Sequence, residues 1–141
     1  MKNIFNILLL VPFLALAFAC AKEDGAKIGV LEVNPNNISG NWSLKEMNNK
    51  PLPEGLFMDL EIIRRDKKFS YTENISGSET VQTKKTGRFD LTEDGVISLL
   101  YDSSMSQYGK SYKIVELEPD KMVWVCQDGS EEVFTFVRTE K

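Results

Sequence analysis

The side chains that could carry catalysis are few in this sequence. There is no histidine, so composition excludes a histidine-dependent triad and a histidine-ligated zinc site. Lys110 and Ser111 are neighbours, but adjacent strand residues point to opposite faces and therefore cannot form a dyad. Asp59 and Glu61 would share one strand face, as a glycosidase pair might. They alternate with apolar residues, and because buried charges are costly we interpret them as a solvated outer face. We expect no enzyme activity, no cofactor and no metal.

The most informative reactive residue is Cys20, because of what precedes it. Lys2 supplies a positive charge, and residues 7–19 form an apolar run interrupted only by Pro12. The run is shorter than the about 20 residues of a membrane-spanning helix, and it fits the roughly 7–15-residue core of a secretory signal. The small residues of Ala17-Phe18-Ala19 suit cleavage, so residues 1–19 are predicted to be a signal peptide. The plainest alternative is a secreted protein with an ordinary cysteine at its new N-terminus.

This stretch resembles a bacterial lipoprotein signal, which implies lipidation of the Cys20 sulfur. Lys22-Glu23-Asp24 resembles the surface-export signal of lipoproteins from the Bacteroides and Capnocytophaga group. One acyl chain holds a protein to a membrane only reversibly, and a diacylglyceryl cysteine would supply the two chains that stable anchoring requires. The resemblance therefore implies a protein anchored by lipid to the outer membrane, at the cell surface.

Composition limits the remaining possibilities. Removal of the 19 signal residues from the 141 of the chain would leave 122, enough for one domain. Because Lys2 would be lost, 16 basic groups would face 21 acidic ones, a net charge of −5. This balance argues against nucleic acid as a partner, since phosphate binding needs a basic surface. With Cys20 lipidated, Cys126 would have no disulfide partner, and its apolar neighbours predict a buried strand thiol.

The mature chain divides into an anchor region and a barrel. Residues 20–38 are predicted to form the lipidated cysteine and a flexible tether, with one apolar patch at residues 28–31 that could form a stray strand. Residues 39–141 are predicted to form the folded domain. No helical period is sustained there; instead, short runs rich in β-branched and aromatic residues alternate with turn signals. The runs are Trp42–Met47, Phe57–Arg64, Phe69–Ile75, Thr80–Thr92, Val96–Tyr101, Tyr112–Leu117, Met122–Gln127 and Val133–Arg138.

These runs predict an all-β fold, an eight-stranded antiparallel up-and-down β-barrel. Gly87 inside the fourth run indicates a bend or bulge; counting that run as two strands would give nine. The sixth run breaks strict alternation, which also indicates a bulge. Successive turns of such a meander alternate between its ends, so the long connections 48–55, 76–79 and 102–109 should share one end. The tight turns and both chain termini should lie at the other end.

The sequence also resembles the lipocalins. Gly40-Asn41-Trp42 is similar to their Gly-x-Trp signature, and residues 134–138 resemble the closing strand of short lipocalin-like domains in Bacteroides lipoproteins. In that family the tryptophan packs under an arginine near the end of the barrel. The resemblance therefore implies a cation–π contact between Trp42 and Arg138 that seals the closed end.

The long connections carry the predicted ligand-binding residues: Pro51, Leu52 and Phe57 from the first, and Met105 and Tyr108 from the one after the fifth strand. Apolar loop residues on a rigid scaffold are a frequent binding arrangement. The first hypothesis is binding of a small apolar ligand or an envelope component at this end. The alternative is a protein-interaction module, an inhibitor or envelope-complex subunit, with a solid core. A cavity of roughly 300 Å³ or more would favour the first.

Overall fold

The computed structural model describes residues 30–75, 82–102 and 109–140. Nearly all of its regular structure is β-strand, as the runs of β-branched and aromatic residues predict. One short helix precedes the first strand, and a 3₁₀ turn covers Arg65–Lys67. The elements are α1 (Pro35–Ile38), β1 (Gly40–Met47), β2 (Lys50–Pro51), β3 (Phe57–Ile63), β4 (Lys68–Asn74), β5 (Thr83–Leu91), β6 (Val96–Tyr101), β7 (Ser111–Leu117), β8 (Lys121–Cys126) and β9 (Val133–Thr139).

Eight of these strands close into a barrel. Strand β1 pairs with β3, strands β3 to β9 follow in sequence order, and β9 pairs back with β1. All pairings are antiparallel, and the closing ladder runs from Asn41 opposite Thr139 to Met47 opposite Phe134. Strand β2 is a two-residue extension that pairs only with β1, across a turn at Asn48 and Asn49. The predicted eight-stranded up-and-down barrel is therefore confirmed.

The core lies inside the barrel and follows the two-residue period of its strands. Every barrel strand places alternate apolar side chains inward, and the largest are almost completely buried. Cys126 is a free, buried thiol among them, as predicted. The most deeply buried large side chains are Trp42, Trp124, Phe69, Phe89, Phe136, Ile38, Leu60, Ile62, Ile97, Leu99, Leu117 and Met122.

The irregular positions differ in part from the prediction. The bulge predicted in β7 is present between Ile114 and Glu116, and a second one interrupts β1 between Leu44 and Glu46. No bulge occurs at Gly87, because the register of β5 continues through it against both neighbouring strands. A Cβ atom there would lie 2.0 Å from the Leu100 carbonyl oxygen. Glycine is required at this position for a close backbone approach.

The segment predicted as a flexible tether packs against the barrel over residues 30–38. The Leu31 amide donates to the Leu117 carbonyl at 2.7 Å, and the side chain of Asn34 caps helix α1. Ile38 is completely buried in the core. The described part of the apolar patch, residues 30 and 31, is not a strand. These contacts fix the point at which the chain leaves the barrel.

The two ends of the barrel differ as the pattern of turns predicts. The connections after β1, β4, β6 and β8 lie at one end, here called the open end. The turns after β3, β5 and β7, together with residues 39 and 140, lie at the other, here called the closed end. Within the described residues, no helix has the length and apolar character needed to cross a bilayer.

Candidate ligand-binding site at the open end

The closed end is sealed by Arg138. Its guanidinium lies 4.1 Å from the centroid of the Trp42 ring, so the structure brings together the two residues that the lipocalin resemblance pairs. The guanidinium also donates to the carbonyl oxygens of Ser39 at 2.7 Å, Asn37 at 2.9 Å and Pro119 at 2.6 Å. Burial lowers the pKa of Arg138 from its usual value, but an arginine remains charged in proteins.

The Gly40 of the Gly-x-Trp signature has a steric role in this seal. Its φ angle is +131°, and a Cβ atom there would meet Nη1 of Arg138 at 2.4 Å. A side chain would therefore displace the guanidinium and would also strain the backbone. The signature glycine makes room for the arginine that covers the signature tryptophan.

A cavity of about 260 Å³ opens at the other end. Its lining residues lie near the open end, on inward-facing positions of the barrel strands and on the chain just after β4 and just before β7 and β9. The described residues that line it are Met47, Met58, Tyr71, Glu73, Ile75, Lys85, Tyr101, Lys110, Tyr112, Trp124, Glu132, Phe134 and Phe136. The volume is slightly below the threshold of roughly 300 Å³ typical of pockets for drug-sized ligands.

Among the described residues, six aromatic side chains line the cavity and are here called the aromatic cup: Tyr71, Tyr101, Tyr112, Trp124, Phe134 and Phe136. Tyr112 lies 5.1 Å from Trp124 and 5.7 Å from Phe134 between ring centroids. Tyr71 and Tyr101 meet edge to face at 6.2 Å. These separations are in the range at which aromatic pairs attract each other. The cup therefore presents a preformed aromatic surface to whatever enters the cavity.

Tyr71 and Tyr112 add to the cup polar groups that stay neutral. The hydroxyls of Tyr71 and Tyr101 share a hydrogen bond of 3.0 Å. Burial, and for Tyr71 also this hydrogen bond, raises the pKa of Tyr71 and of Tyr112 well above the usual value of tyrosine. Desolvation disfavours the phenolate. Both phenols therefore remain hydrogen-bond donors across the physiological pH range.

Four charged side chains of the described residues line the mouth of the cavity: Glu73, Lys85, Lys110 and Glu132. Lys85 Nζ lies 3.5 Å from Glu73 Oε1, and 5.8 Å and 5.5 Å from the ring centroids of Tyr71 and Tyr101. The ammonium group thus lies over the rim of the aromatic cup. Two positive and two negative charges leave the described lining of the cavity without net charge.

Three of the sequence-predicted ligand residues, Pro51, Leu52 and Phe57, lie at the open end but are not among the residues that line this cavity. Pro51 is exposed in β2, Leu52 packs against the outside of the core, and Phe57 lies on the opposite strand face from its neighbour Met58, which does line the cavity. Met105 and Tyr108 lie outside the described residues.

The lining residues instead come from the strands themselves. Extending the apolar alternation of β4 by one more inward position reaches Glu73, and the same step on β5 reaches Lys85. A charged residue in a strand is usually expected to face solvent, so the sequence pattern does not indicate that these two side chains face inward. Asp59 does lie on the outer face, where it accepts a hydrogen bond from the Ser43 hydroxyl at 2.9 Å. The described residues contain no group of three or more potential metal ligands from His, Cys, Asp and Glu.

A closed antiparallel barrel with one sealed end and an aromatic cavity at the other defines a binding-type barrel protein. Residues 38–124 match the family model of the lipocalin-like domain. The chain belongs to this family of lipocalin-like proteins.

Two solved structures share the fold. A protein from Bacteroides uniformis solved by NMR has a TM-score of 0.56 at 14% identity, and the match covers 77% of this chain and 94% of that one. A lipocalin-like protein from the same organism, solved by crystallography, has a TM-score of 0.52 at 12% identity, with 73% and 99% covered. No curated protein matches the chain. At these identities the likeness concerns the fold alone.

Proposed function

We propose that this protein is a non-catalytic cell-envelope lipoprotein that binds a small molecule with an apolar body in the aromatic cup. The observation that carries the proposal is the cavity of about 260 Å³ at the end opposite the seal, whose described lining includes six aromatic side chains. A pocket lined mostly by apolar and aromatic side chains, with a few polar groups, is the usual form of a small-molecule site.

The size of the cavity restricts the ligand. At about 30 Å³ for each water molecule of the liquid, 260 Å³ corresponds to on the order of ten non-hydrogen atoms. A ligand with one ring fills such a space, whereas a long acyl chain would have to extend out of the mouth. The ligand is therefore smaller than the drug-sized molecules that occupy typical pockets.

The envelope location rests on the sequence around Cys20 and on the exit of the chain. A lipidated Cys20 would hold the protein at a membrane, with two acyl chains sufficient for stable attachment. Residues 30–38 are packed at the closed end through Ile38 and Leu31. The anchored side of the barrel is then the sealed side, and the mouth of the cavity faces away from the membrane.

Native mass spectrometry of the protein purified from its own membrane tests both parts. We expect a mass increase on Cys20 from acylation and a retained small molecule in the wild-type protein. Ile75→Trp places a larger side chain in the lining of the cavity and should reduce the retained molecule at least tenfold. The matched control is Ile63→Trp, on an exposed position at the closed end, which should retain it fully.

The lipid anchor and the ligand-binding cavity would be refuted by different results. Unmodified Cys20 in a membrane-purified protein would exclude the anchor. A wild-type protein that carries no small molecule, or an Ile75→Trp variant that retains as much as wild type, would exclude the cavity as a binding site. An envelope protein that co-purifies in its place would favour the interaction module.

A further inference from the structure

The ion pair between Glu73 and Lys85 occupies an unusual place for two charged side chains. Both residues lie on inward-facing positions of adjacent strands, opposite Thr83 and Tyr71 in the ladder between β4 and β5. The Glu73 side chain is only 17% exposed and that of Lys85 43%. A pair on the outer surface would contribute little to stability and would be free to lie anywhere. This pair instead lines the cavity, directly above the aromatic cup.

The pair presents both signs of charge to an incoming ligand, 3.5 Å apart. Lys85 has three N–H donors and Glu73 has two acceptor oxygens, so neither is saturated by the other. An anionic ligand would gain from Lys85 but would be repelled by Glu73, and a cationic ligand would meet the reverse. Because Lys110 and Glu132 add one further charge of each sign, the described lining has no net charge with which to select either ion.

A zwitterion resolves this conflict. Its carboxylate pairs with Lys85 and its ammonium with Glu73, so that the charges of the ligand and of the ion pair lie antiparallel, each beside its opposite. Tyr71 and Tyr112 line the same cavity, and burial raises the pKa of both phenols, so that both stay neutral there. The rest of the molecule must fit the aromatic cup, where an aromatic ring packs with favourable geometry.

We infer that the cavity binds a small zwitterion with one aromatic ring, of the type of a free aromatic α-amino acid, with its charged groups on the Glu73–Lys85 pair. The inference rests on the proposed binding function and names the chemical class of its ligand. It depends on the position of the ion pair above the cup and on the balance of charges among the described lining residues.

Three probes that share a phenyl ring separate the possible charge preferences: L-phenylalanine, 3-phenylpropanoate without the ammonium, and 2-phenylethylamine without the carboxylate. Binding to the ¹⁵N-labelled full chain is followed at pH 7 through the two indole N–H resonances. Trp124 belongs to the aromatic cup, whereas Trp42 lies at the closed end and donates to the Ile38 carbonyl at 2.9 Å. We expect phenylalanine to shift the Trp124 resonance and not that of Trp42. We also expect it to bind at least tenfold more tightly than either singly charged probe, since each loses one charge-assisted hydrogen bond.

Two variants then assign the charges. Lys85→Met should weaken phenylalanine and 3-phenylpropanoate about tenfold without weakening 2-phenylethylamine. Glu73→Gln should weaken phenylalanine and 2-phenylethylamine and spare 3-phenylpropanoate. Lys84→Met is the matched control, because Lys84 is exposed on the outer face of the same strand, and it should change none of the three affinities.

The outcomes separate this inference from the proposed function. If a singly charged probe binds as tightly as phenylalanine, if both variants weaken all three probes equally, or if no probe binds, the zwitterion assignment is overturned. The proposed function survives any of these results as long as the membrane-purified protein retains a small molecule that Ile75→Trp expels. The proposed function is overturned only if the membrane-purified protein carries no small molecule or if the Ile75→Trp variant still retains it.

Discussion

The seal at the closed end allows a stability prediction to be developed from individual contacts. Arg138→Met removes the guanidinium that donates to three carbonyl oxygens and covers Trp42. Two of the three hydrogen bonds are part-buried and each contributes about 1.5 kcal/mol, the lower end for charged donors. The exposed one to Pro119 contributes little, and the cation–π contact adds about 0.5–1 kcal/mol.

The expected loss in the free energy of unfolding is therefore about 3–4 kcal/mol. For a domain of this size that corresponds to a decrease in Tm of roughly 12–16 °C. Arg138→Lys keeps a charge over the ring but cannot reach three carbonyls at once, so about 2 kcal/mol should be lost. A double-mutant cycle that combines Arg138→Met with Trp42→Phe should give a coupling energy of about 0.5–1 kcal/mol between the two side chains.

Chemical denaturation followed by circular dichroism measures these differences. Arg65→Met, in the exposed turn between β3 and β4, is the matched control and should change the free energy of unfolding by no more than about 0.5 kcal/mol. The reasoning would be refuted by an Arg138→Met variant that loses less than about 1 kcal/mol, well under the contribution of its two part-buried bonds. An Arg138→Lys variant as stable as wild type would show that the branched shape of arginine is not needed.

Three further predictions concern other parts of the barrel. Gly87→Ala places a Cβ atom 2.0 Å from the Leu100 carbonyl and should lower the free energy of unfolding by about 1–3 kcal/mol or more; a denaturation midpoint equal to wild type would contradict the close approach. Hydrogen bonds from Ser130 lower the pKa of Asp128 to about 2, so wild type should have a higher free energy of unfolding than Asp128→Asn, by a constant difference above about pH 5. This difference should disappear as the pH falls from about 4 to 2. A difference that is unchanged at pH 2 would contradict the lowered pKa. Cys126 is 2% exposed, so its thiol should react with a thiol reagent only at the rate of unfolding, which labelling in increasing urea would measure. Rapid labelling of the native protein would show that the thiol is accessible.

Part of the fold follows from local patterns in the sequence. The period-two alternation and turn residues predict eight strands, and the observed bounds of β3, β6 and β7 differ from the predicted ones by one residue at most. Antiparallel strands joined by short turns have few alternatives, so the meander and its two unlike ends follow as well. The bulge in β7 is visible as a break in alternation, which is also a local signal.

The cavity could not be predicted in the same way. Pro51, Leu52 and Phe57 are predicted ligand contacts because apolar loop residues on a rigid scaffold often bind, whereas the described lining of the cavity comes mostly from the barrel strands. Glu73 and Lys85 are charged, and a charged residue at the end of a strand usually faces solvent. Only closure of the barrel converts an inward position near the rim into the wall of a cavity.

The sequence by itself determined the strand pattern, the free thiol of Cys126 and the expectation of a lipid anchor at Cys20, because each depends on residues close together in the chain. The tertiary structure decided the packing of residues 30–38, the need for glycine opposite Leu100, and the position of the Glu73–Lys85 pair above six aromatic rings. These features join strands that are distant in sequence. Their physical cause is the closure of the sheet, which sets backbones and side chains against neighbours that no local pattern specifies.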